Sequence, residues 1–308
     1  MHVVIAGGAG FIGSHSSRLL LERGHRVSIV DDLSHGKREN VPDSATLIVQ
    51  DIREPKLLEV MAQLKPDAVL HLAAQMDVRK SVADPTFDAS VNVLGTVSLL
   101  EASQRAGAKR FVFASSGGAV YGEQEEFPAR ESHPRRPASQ YGVSKLCGEE
   151  YLALYQRLYG LSTLALRYAN VYGPGQDPHG EAGVVAIFLN KMLGGKEPVI
   201  NGDGLQTRDY VHVSDVARIN ALALEGTCAG ALNVGTARET SVVELAQVLA
   251  EAVGHKKPLA HAEAKTGEQR RSVIDPAAAK TALGWEPTLE VSAGLEQTAR
   301  WFAAQAGR

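Results

Sequence analysis

The feature that most constrains the fold is a glycine-rich turn directly after the first apolar run. The run His2–Ala6 is followed by glycines at positions 7, 10 and 13, and an amphipathic segment begins at Phe11. Glycine permits a tight turn and lets the backbone approach a pyrophosphate, whose charge the N-terminus of the next helix stabilises. Because this turn joins a strand to a helix, the spacing Gly7-x-x-Gly10-x-x-Gly13 predicts a dinucleotide-binding βαβ unit.

Short apolar runs alternate with amphipathic segments throughout the first half of the chain. This alternation predicts parallel strands joined by helices that cover both faces of one sheet. Six candidate strands fit an α/β fold with a doubly wound parallel sheet, the Rossmann type. The candidate strands are His2–Ala6, Arg26–Val30, Ala45–Gln50, Asp67–Ala73, Arg110–Ser115 and Leu161–Arg167, and the candidate helices are Phe11–Arg23, Pro55–Leu64, Phe87–Ala106 and Tyr141–Tyr159.

The pattern changes after about Asn170, where glycine and proline cluster and the regular alternation ends. Helical patterns recur at Val213–Glu225, Ser241–Val253 and Val291–Ala304. We expect residues 1–170 to form the Rossmann domain and residues 171–308 to form a smaller mixed α/β lobe that binds the substrate. Whether parts of the second segment return to the Rossmann sheet stays open. A cleft between two lobes is a common ligand site.

Composition and charge exclude several classes of protein. The 308 residues are 44% hydrophobic and 22% charged, with a net charge of −3, as in soluble globular proteins and unlike nucleic-acid binders. Apolar runs such as Ala68–Ala74 are too short to cross a bilayer, and the first residues lack the pattern of a signal peptide. Cys147 and Cys228 have neither disulfide nor metal-ligand spacing. We therefore expect a cytoplasmic protein without a bound metal, a membrane anchor or a nucleic-acid partner.

The second candidate strand ends in two acidic residues, Asp31 and Asp32. A carboxylate at this position hydrogen-bonds the ribose hydroxyls of the adenosine and repels the 2′-phosphate of NADP. The sequence therefore favours NAD as the cofactor. Asp31 is the preferred ribose contact, whereas Asp32 fits a ribose contact and a solvated turn equally well.

The glycine spacing and later segments resemble the extended short-chain dehydrogenase/reductase family. The resemblance implies that Asp51 and Ile52 hold the adenine and that the segment after His71 lines the cofactor channel with its backbone. It also implies that Asn92, in Asn-Val-Leu-Gly-Thr, steadies the central strands and the cofactor site. The implied cofactor-binding residues are Gly7, Gly10, Phe11, Ile12, Gly13, Asp31, Asp32, Asp51, Ile52, Leu72, Ala73, Ala74, Gln75, Asn92, Ser115, Tyr141, Lys145 and Tyr168.

The segment Tyr141-Gly-Val-Ser-Lys145 places a tyrosine and a lysine on one face of a candidate helix. A free tyrosine has a pKa near 10, so a phenolate base at pH 7 needs a shift of about 3 units, roughly 4 kcal/mol. A lysine ammonium and a positively charged nicotinamide nearby both favour the phenolate. We predict Tyr141 as the catalytic base, with Lys145 supporting its ionisation and holding the nicotinamide ribose.

The catalytic hydroxyl is harder to place. Members of the family carry Ser or Thr four residues before the tyrosine of a Val-Tyr-Gly segment, and here that position is Gly117. Either the loop carries one residue more or the role of the hydroxyl is weakened. We assign the role to Ser116 and keep Ser115 as the alternative.

Segments of the second lobe resemble those of nucleotide-sugar enzymes. The resemblance implies that Asn170 and Arg208 bind the diphosphate, since guanidinium pairs bidentately with phosphate. Lys265 and Glu268 replace the family's Arg and Asp; lysine loses the fork geometry, while Glu268 is expected on the uridine ribose. Ser272 stands where a bulky tyrosine restricts the 2-substituent of the sugar. The implied substrate-binding residues are Ser116, Tyr141, Asn170, Val184, Arg208, Lys265, Glu268 and Ser272.

The resemblance covers nearly the whole chain and is greatest to NAD-dependent nucleotide-sugar epimerases of the bacterial UDP-glucose 4-epimerase group. It implies reversible 4-epimerisation of a UDP-hexose through a 4-keto intermediate with bound NAD. The substrates implied are UDP-glucose and UDP-galactose, and UDP-GlcNAc and UDP-GalNAc if the small Ser272 leaves room. It also implies a homodimer paired through the helices at 87–106 and 141–159.

Three other functions are weighed against epimerisation. A 4,6-dehydratase needs acid–base groups after the catalytic hydroxyl, where this chain has Gly117 and Gly118. A non-catalytic redox sensor has no need of the Tyr141 and Lys145 pair. A UDP-glucuronate 4-epimerase or decarboxylase is the first alternative.

Overall fold

The computed structural model describes residues 1–178, 183–264 and 269–307. Its strands are β1 (His2–Ala6), β2 (Arg26–Asp31), β3 (Thr46–Val49), β4 (Ala68–His71), β5 (Arg110–Ser116), β6 (Ser162–Tyr168), β7 (Asn170–Tyr172), β8 (Val199–Asn201), β9 (Thr207–Arg208), β10 (Tyr210–His212), β11 (Gly230–Val234), β12 (Thr240–Ser241), β13 (Ala260–Ala262) and β14 (Arg271–Ser272). Its helices are α1 (Phe11–Glu22), α2 (Leu57–Leu64), α3 (Val78–Ala83), α4 (Pro85–Ala89), α5 (Gly95–Arg105), α6 (Gly117–Val120), α7 (Gln140–Tyr159), α8 (Val184–Leu193), α9 (Val213–Glu225), α10 (Val242–Ala252), α11 (Ala277–Leu283) and α12 (Val291–Ala306).

The central element is a seven-stranded sheet in the order β11-β6-β5-β4-β1-β2-β3, with every neighbouring pair parallel. The inner strands β1, β2, β4, β5 and β6 are buried at nearly every position because both faces of the sheet are covered by helices. Val3 and Ile5 of β1 pack in a cluster that contains Val216 of α9, whereas Val4 packs with Leu99 of α5 on the other face. The doubly wound α/β fold predicted from the sequence is confirmed.

The sequence pattern indicated six strands, and the seventh is β11, which pairs with β6 along Gly230–Val234. The pattern missed it because Gly230 and Asn233 interrupt a run that is only five residues long. This strand brings part of the second segment back to the Rossmann sheet. The division into residues 1–170 and 171–308 stays a prediction.

The single helix expected over Phe87–Ala106 is three pieces. Helix α4 begins under an Asp84 cap, whose carboxylate accepts from the Phe87 backbone N–H at 2.9 Å. A π-helical turn over Ser90–Leu94 follows, and α5 continues from Gly95. The wider turn is where the buried Asn92 lies, and such turns are frequent at functional sites.

The remaining strands form small sheets beside the carboxyl edge of the main sheet: β7 with β10, β8 with β13, and β9 between β12 and β14. Helices α8, α10 and α12 pack together around a separate apolar cluster, which includes Phe188, Leu245, Leu249, Leu295 and Phe302. Helix α10 starts with a capping box in which Ser241 and Glu244 satisfy each other's backbone N–H. Among the described residues, no helix is both long and apolar enough to span a membrane.

Candidate active site

The glycine turn after β1 has no room for a side chain at Gly7 or Gly13. Gly7 has a φ of +81°, and a Cβ there would lie 2.5 Å from the Ala73 nitrogen. A Cβ on Gly13 would lie 2.4 Å from the Gly7 oxygen. Helix α1 begins at Phe11 after Gly10, which offers no side-chain cap to the first N–H groups. These N–H groups suit a bound pyrophosphate, as the sequence predicts.

Asp31 at the end of β2 lies against the glycine turn. Its carboxylate accepts from the backbone N–H of Ala9 at 3.0 Å and of Leu33 at 2.9 Å. Burial raises the pKa of this carboxyl above its usual value, and the two hydrogen bonds oppose the rise. Asp32 is exposed and accepts from the N–H and hydroxyl of Ser34, at 2.9 and 2.7 Å. Of the two carboxylates, Asp31 is therefore the one that lies against the glycine turn, and Asp32 has the contacts of a solvated turn.

Asp51 after β3 is held by a residue that the sequence reasoning missed. The Arg53 guanidinium forms an ion pair with the Asp51 carboxylate at 2.5 Å and donates to the Ser90 hydroxyl at 3.0 Å. The arginine holds the pKa of Asp51 below its usual value. Ile52 is buried beneath Gly95, where a Cβ would lie 2.7 Å from the isoleucine side chain. The ion pair of Asp51 with Arg53 could not be read from the sequence, because an arginine two positions after an acidic residue is no clear signal of a contact.

Asn92 fixes the loop that follows β4. Its amide nitrogen donates to the Gln75 carbonyl at 2.8 Å, and its amide oxygen accepts from the Gln75 N–H at 2.9 Å. The same amide nitrogen donates to the Asp88 carboxylate at 2.8 Å. Because Ala73 of this loop also lies next to Gly7, the Asn92 contacts fix a loop that adjoins the glycine turn.

Asp88 is a second residue that the sequence reasoning missed. It is fully buried, and its carboxylate accepts from the Gln75 amide at 3.0 Å and the Ser144 hydroxyl at 2.7 Å, besides Asn92. Its negative charge raises the pKa of the neighbouring Lys145. The sequence signal that could have identified Asp88 is its place one helical turn before Asn92.

Tyr141 and Lys145 occupy the first turns of α7, which Ser139 caps by accepting from the Gly142 N–H at 3.1 Å. The Lys145 Nζ lies 5.6 Å from the Tyr141 ring centroid and donates to the Ala114 carbonyl of β5 at 2.9 Å. Burial lowers the pKa of Lys145 to about 8. The predicted pair therefore shares one helix face beside the carboxyl end of β5.

The two serines at the end of β5 point to opposite faces of the sheet, because side chains alternate along a strand. The Ser115 hydroxyl donates to the buried Glu149 carboxylate at 2.6 Å, and Arg167 pairs with that carboxylate at 2.6 Å. The Ser115 side chain is thus part of an internal ion-pair network. Ser116 is half-buried at the strand end, directly before α6. This placement favours Ser116 over Ser115 as the catalytic hydroxyl.

Three segments converge beyond the end of β5. A Cβ built on Gly118 would lie 3.8 Å from the Ser272 hydroxyl and 3.9 Å from the Asn170 amide oxygen. Ser272 is buried and is the register partner of Arg208 in the β14–β9 pair. The Arg208 guanidinium donates to the Thr207 carbonyl at 2.8 Å. Three predicted substrate residues are thereby grouped next to the carboxyl end of β5.

The remaining predicted site residues lie as follows. Val184 is the first residue of α8, whose preceding Gly183 supplies no side-chain cap. The Tyr168 hydroxyl donates to the Asn220 amide at 2.6 Å within the core, and burial raises its pKa. Lys265 and Glu268 lie outside the described residues. Across residues 1–178, 183–264 and 269–307, no cluster of three or more His, Cys, Asp or Glu side chains is arranged for a metal ion.

Comparison with known proteins identifies close relatives. Residues 3–235 match the NAD dependent epimerase/dehydratase family. The UDP-glucose 4-epimerase of Mycolicibacterium smegmatis is 44% identical over 98% of both chains. The crystal structure of the Thermotoga maritima UDP-glucose 4-epimerase with UDP-glucose is 45% identical and covers 99% of both chains, with a TM-score of 0.95. That of the Thermus thermophilus enzyme with NAD is 44% identical over 98% of this chain and 99% of that one, with a TM-score of 0.93.

These matches confirm the resemblance to the short-chain dehydrogenase/reductase epimerases, the prediction of an NAD-dependent epimerase and the choice of NAD as cofactor. They agree with the geometry, in which a glycine turn, an acidic strand end and a tyrosine–lysine helix face lie at one edge of a parallel sheet. The chain belongs to the NAD dependent epimerase/dehydratase family.

Proposed function

We propose that this protein interconverts UDP-glucose and UDP-galactose by reversible epimerisation at C4. The observation that carries the proposal is the buried Lys145 beside Tyr141 next to the end of β5, with Asn170 and Ser272 close to Gly118 just beyond that strand. The full-length relatives named UDP-glucose 4-epimerase support the choice of sugar nucleotide.

The residues of this chain divide the chemistry between them. NAD, when bound, would supply the redox chemistry of the reaction, as acceptor of the C4 hydride of the sugar and as its donor to the opposite face. Tyr141 takes the proton of the C4 hydroxyl as the 4-keto sugar forms, and gives it back in the second half-reaction. The Lys145 ammonium favours the phenolate by its charge. Ser116 is placed to hydrogen-bond the same sugar oxygen.

The nucleotide is held while the sugar turns. We assign the diphosphate to Asn170, to Arg208 and to the uncapped start of α8 at Val184, because guanidinium forks and free helix N–H groups both bind phosphate oxygens. Lys265 and Glu268 are proposed as further nucleotide contacts. The cofactor residues predicted from the sequence are proposed as the NAD contacts.

The test is incubation of the purified protein with UDP-glucose, UDP-GlcNAc and UDP-glucuronate separately, with the products resolved by NMR. We expect UDP-galactose from UDP-glucose. Tyr141→Phe is the control variant, which should lose turnover and keep its NAD, because only the hydroxyl is removed. Conversion of UDP-glucuronate alone would replace the proposal by the first alternative, and normal turnover by Tyr141→Phe would remove the base assignment.

We also propose that the protein is a homodimer. Helix α7 and the turn before α5 present large apolar side chains to solvent: Leu94, Val143 and Leu158 are 62%, 54% and 62% exposed. A second copy placed on this face would bury them, which is favourable at about 25 cal/mol per Å². Light scattering at micromolar concentration should give twice the chain mass, and Val143→Glu should give a monomer. A monomeric parent protein would contradict the proposal.

A cytoplasmic location is part of the same proposal. Cys147 and Cys228 are both free thiols. Free cysteines are the usual state in a reducing compartment.

A further inference from the structure

Asp209 is a buried acidic residue between β9 and β10, only 2% exposed, directly after Arg208. One carboxylate oxygen accepts from the Thr236 N–H at 2.9 Å and from the Thr236 hydroxyl at 2.6 Å. The other accepts from the N–H of Ala237 at 3.2 Å and of Ile274 at 3.4 Å. The side chain thus joins the turn after β11 to the segment after β14.

The main chain of Asp209 joins two further segments. Its carbonyl accepts from the Asn170 N–H at 2.9 Å, and its N–H donates to the Ser272 carbonyl at 2.8 Å. Asp209 is therefore hydrogen-bonded to two predicted substrate residues and covalently bonded to a third, Arg208. Groups that share one satisfied, buried hydrogen-bond network move together.

The surroundings of the carboxylate leave it no alternative position. A Cβ on Gly235 would lie 2.4 Å from the Asp209 carboxylate and 2.7 Å from the Ile274 side chain. Burial raises the pKa of Asp209 to about 6, and the opposing influences are the hydrogen bonds from Thr236, Ile274 and Ala237. The negative charge of the carboxylate is stabilised by neutral N–H and O–H donors. The positions of those donors therefore decide whether the buried carboxylate is fully hydrogen-bonded.

We propose that Asp209 is a positioning residue that fixes Asn170, Arg208 and Ser272 in the arrangement that binds the nucleotide diphosphate. The inference rests on the proposed function of those three residues. Asp209 itself touches none of the reacting atoms in this scheme. It acts through the strands that carry them, so its loss should weaken nucleotide binding while the cofactor half of the site stays intact.

Asp215 provides a matched control in the same lobe. It is also buried, at 1% exposed, and its carboxylate accepts from the Thr288 hydroxyl at 2.8 Å and from the N–H groups of Thr288 and Leu289 at 3.0 and 3.2 Å. The hydrogen bonds match those that Asp209 receives from Thr236 and Ala237. Asp215 differs in one contact, an ion pair with Arg218 of its own helix at 2.5 Å. Its carboxylate otherwise contacts the loop before α12, and within the part of the chain that the structure describes it has no hydrogen bond to Asn170, Arg208 or Ser272.

The experiment measures UDP binding by calorimetry on the NAD-loaded protein, together with kcat, KM for UDP-glucose, NAD content and Tm. Asp209→Asn turns one acceptor oxygen into an amide that faces backbone N–H groups, so the Kd of UDP and the KM should rise on the order of 10-fold. NAD content should stay at the parent level. Thr236→Val, which removes one donor, should raise both constants less. Asp215→Asn should lower Tm and leave both constants unchanged.

Two results would overturn the inference. One is an Asp209→Asn variant that binds UDP as tightly as the parent, whatever its Tm. The other is an equal rise in Kd for Asp209→Asn and Asp215→Asn, which would mean that any lost buried carboxylate loosens the lobe. Failure of the proposed function has a different outcome, since the parent itself would then not convert UDP-glucose, whatever the variants do.

Discussion

Ser272 is expected to decide which sugars the enzyme accepts, and Ser272→Tyr tests this directly. The serine is 4% exposed, and its hydroxyl lies 3.8 Å from the position of a Cβ on Gly118. A tyrosine ring cannot fit between these residues, and we expect it to occupy part of the proposed sugar site instead. The parent should therefore accept UDP-GlcNAc as well as UDP-glucose, and the variant should exclude the larger N-acetyl group.

The size of the effect follows from the cost of overpacking. Forcing extra volume into a packed site costs about 1–3 kcal/mol. At about 1.4 kcal/mol per factor of ten, the ratio of kcat/KM for UDP-GlcNAc to that for UDP-glucose should fall about 5- to 140-fold. Ser272→Ala is the matched control, because it removes the hydroxyl without adding volume, and it should leave the ratio close to that of the parent.

The assay follows both substrates with the parent, Ser272→Tyr and Ser272→Ala proteins under one set of conditions. A parent that refuses UDP-GlcNAc would show that the small side chain does not admit the N-acetyl group. An unchanged ratio in a folded Ser272→Tyr variant would show that another residue limits the space. Either result refutes the steric argument.

Three further predictions concern the cofactor and the catalytic groups. Ser116→Ala should slow turnover on the order of 10²-fold, the usual effect of a lost acid–base or hydrogen-bond group; if Ser115→Ala slows turnover more, the assignment is off by one residue. Asp31→Ala should weaken the preference for NAD over NADP in competitive titration, and an unchanged preference would place the ribose contact elsewhere. With a pKa of about 8, Lys145 loses its charge as pH rises, so kcat/KM should fall above about pH 8. Asp88→Asn removes a charge that raises this pKa, so the fall should begin at lower pH; an unmoved profile would exclude Lys145 as its cause.

The parts of the site that the sequence predicted are those in which local spacing translates directly into geometry. A separation of four residues on a helix puts Tyr141 and Lys145 on one face, whatever the rest of the chain does. Glycines spaced by three at the first strand–helix turn predict a backbone too tightly packed for side chains. The structure agrees, because Gly7 and Gly13 lack room for a Cβ.

The parts that could not be predicted depend on contacts between segments far apart in the chain. Asp88 meets Ser144 across 56 residues, and the Asp209 N–H meets the Ser272 carbonyl across 63 positions. No periodicity links such partners. The strand β11 was missed for a related reason, since a five-residue run with Gly230 and Asn233 becomes a strand only because β6 offers a free edge.

The small residues near the proposed sugar site fit the proposed reaction. An epimerase must hold its nucleotide firmly and still let the 4-keto sugar present both faces to the same cofactor. The nucleotide anchors are proposed on the short strands and helix start of the second lobe, which Asp209 ties together. At the proposed sugar site, two of the smallest residues, Gly118 and Ser272, lie next to each other. Small residues leave volume for rotation and offer few groups that would favour one sugar face over the other. The same volume that permits turning should also admit a 2-N-acetyl group, so substrate breadth and the epimerase reaction have a common structural cause.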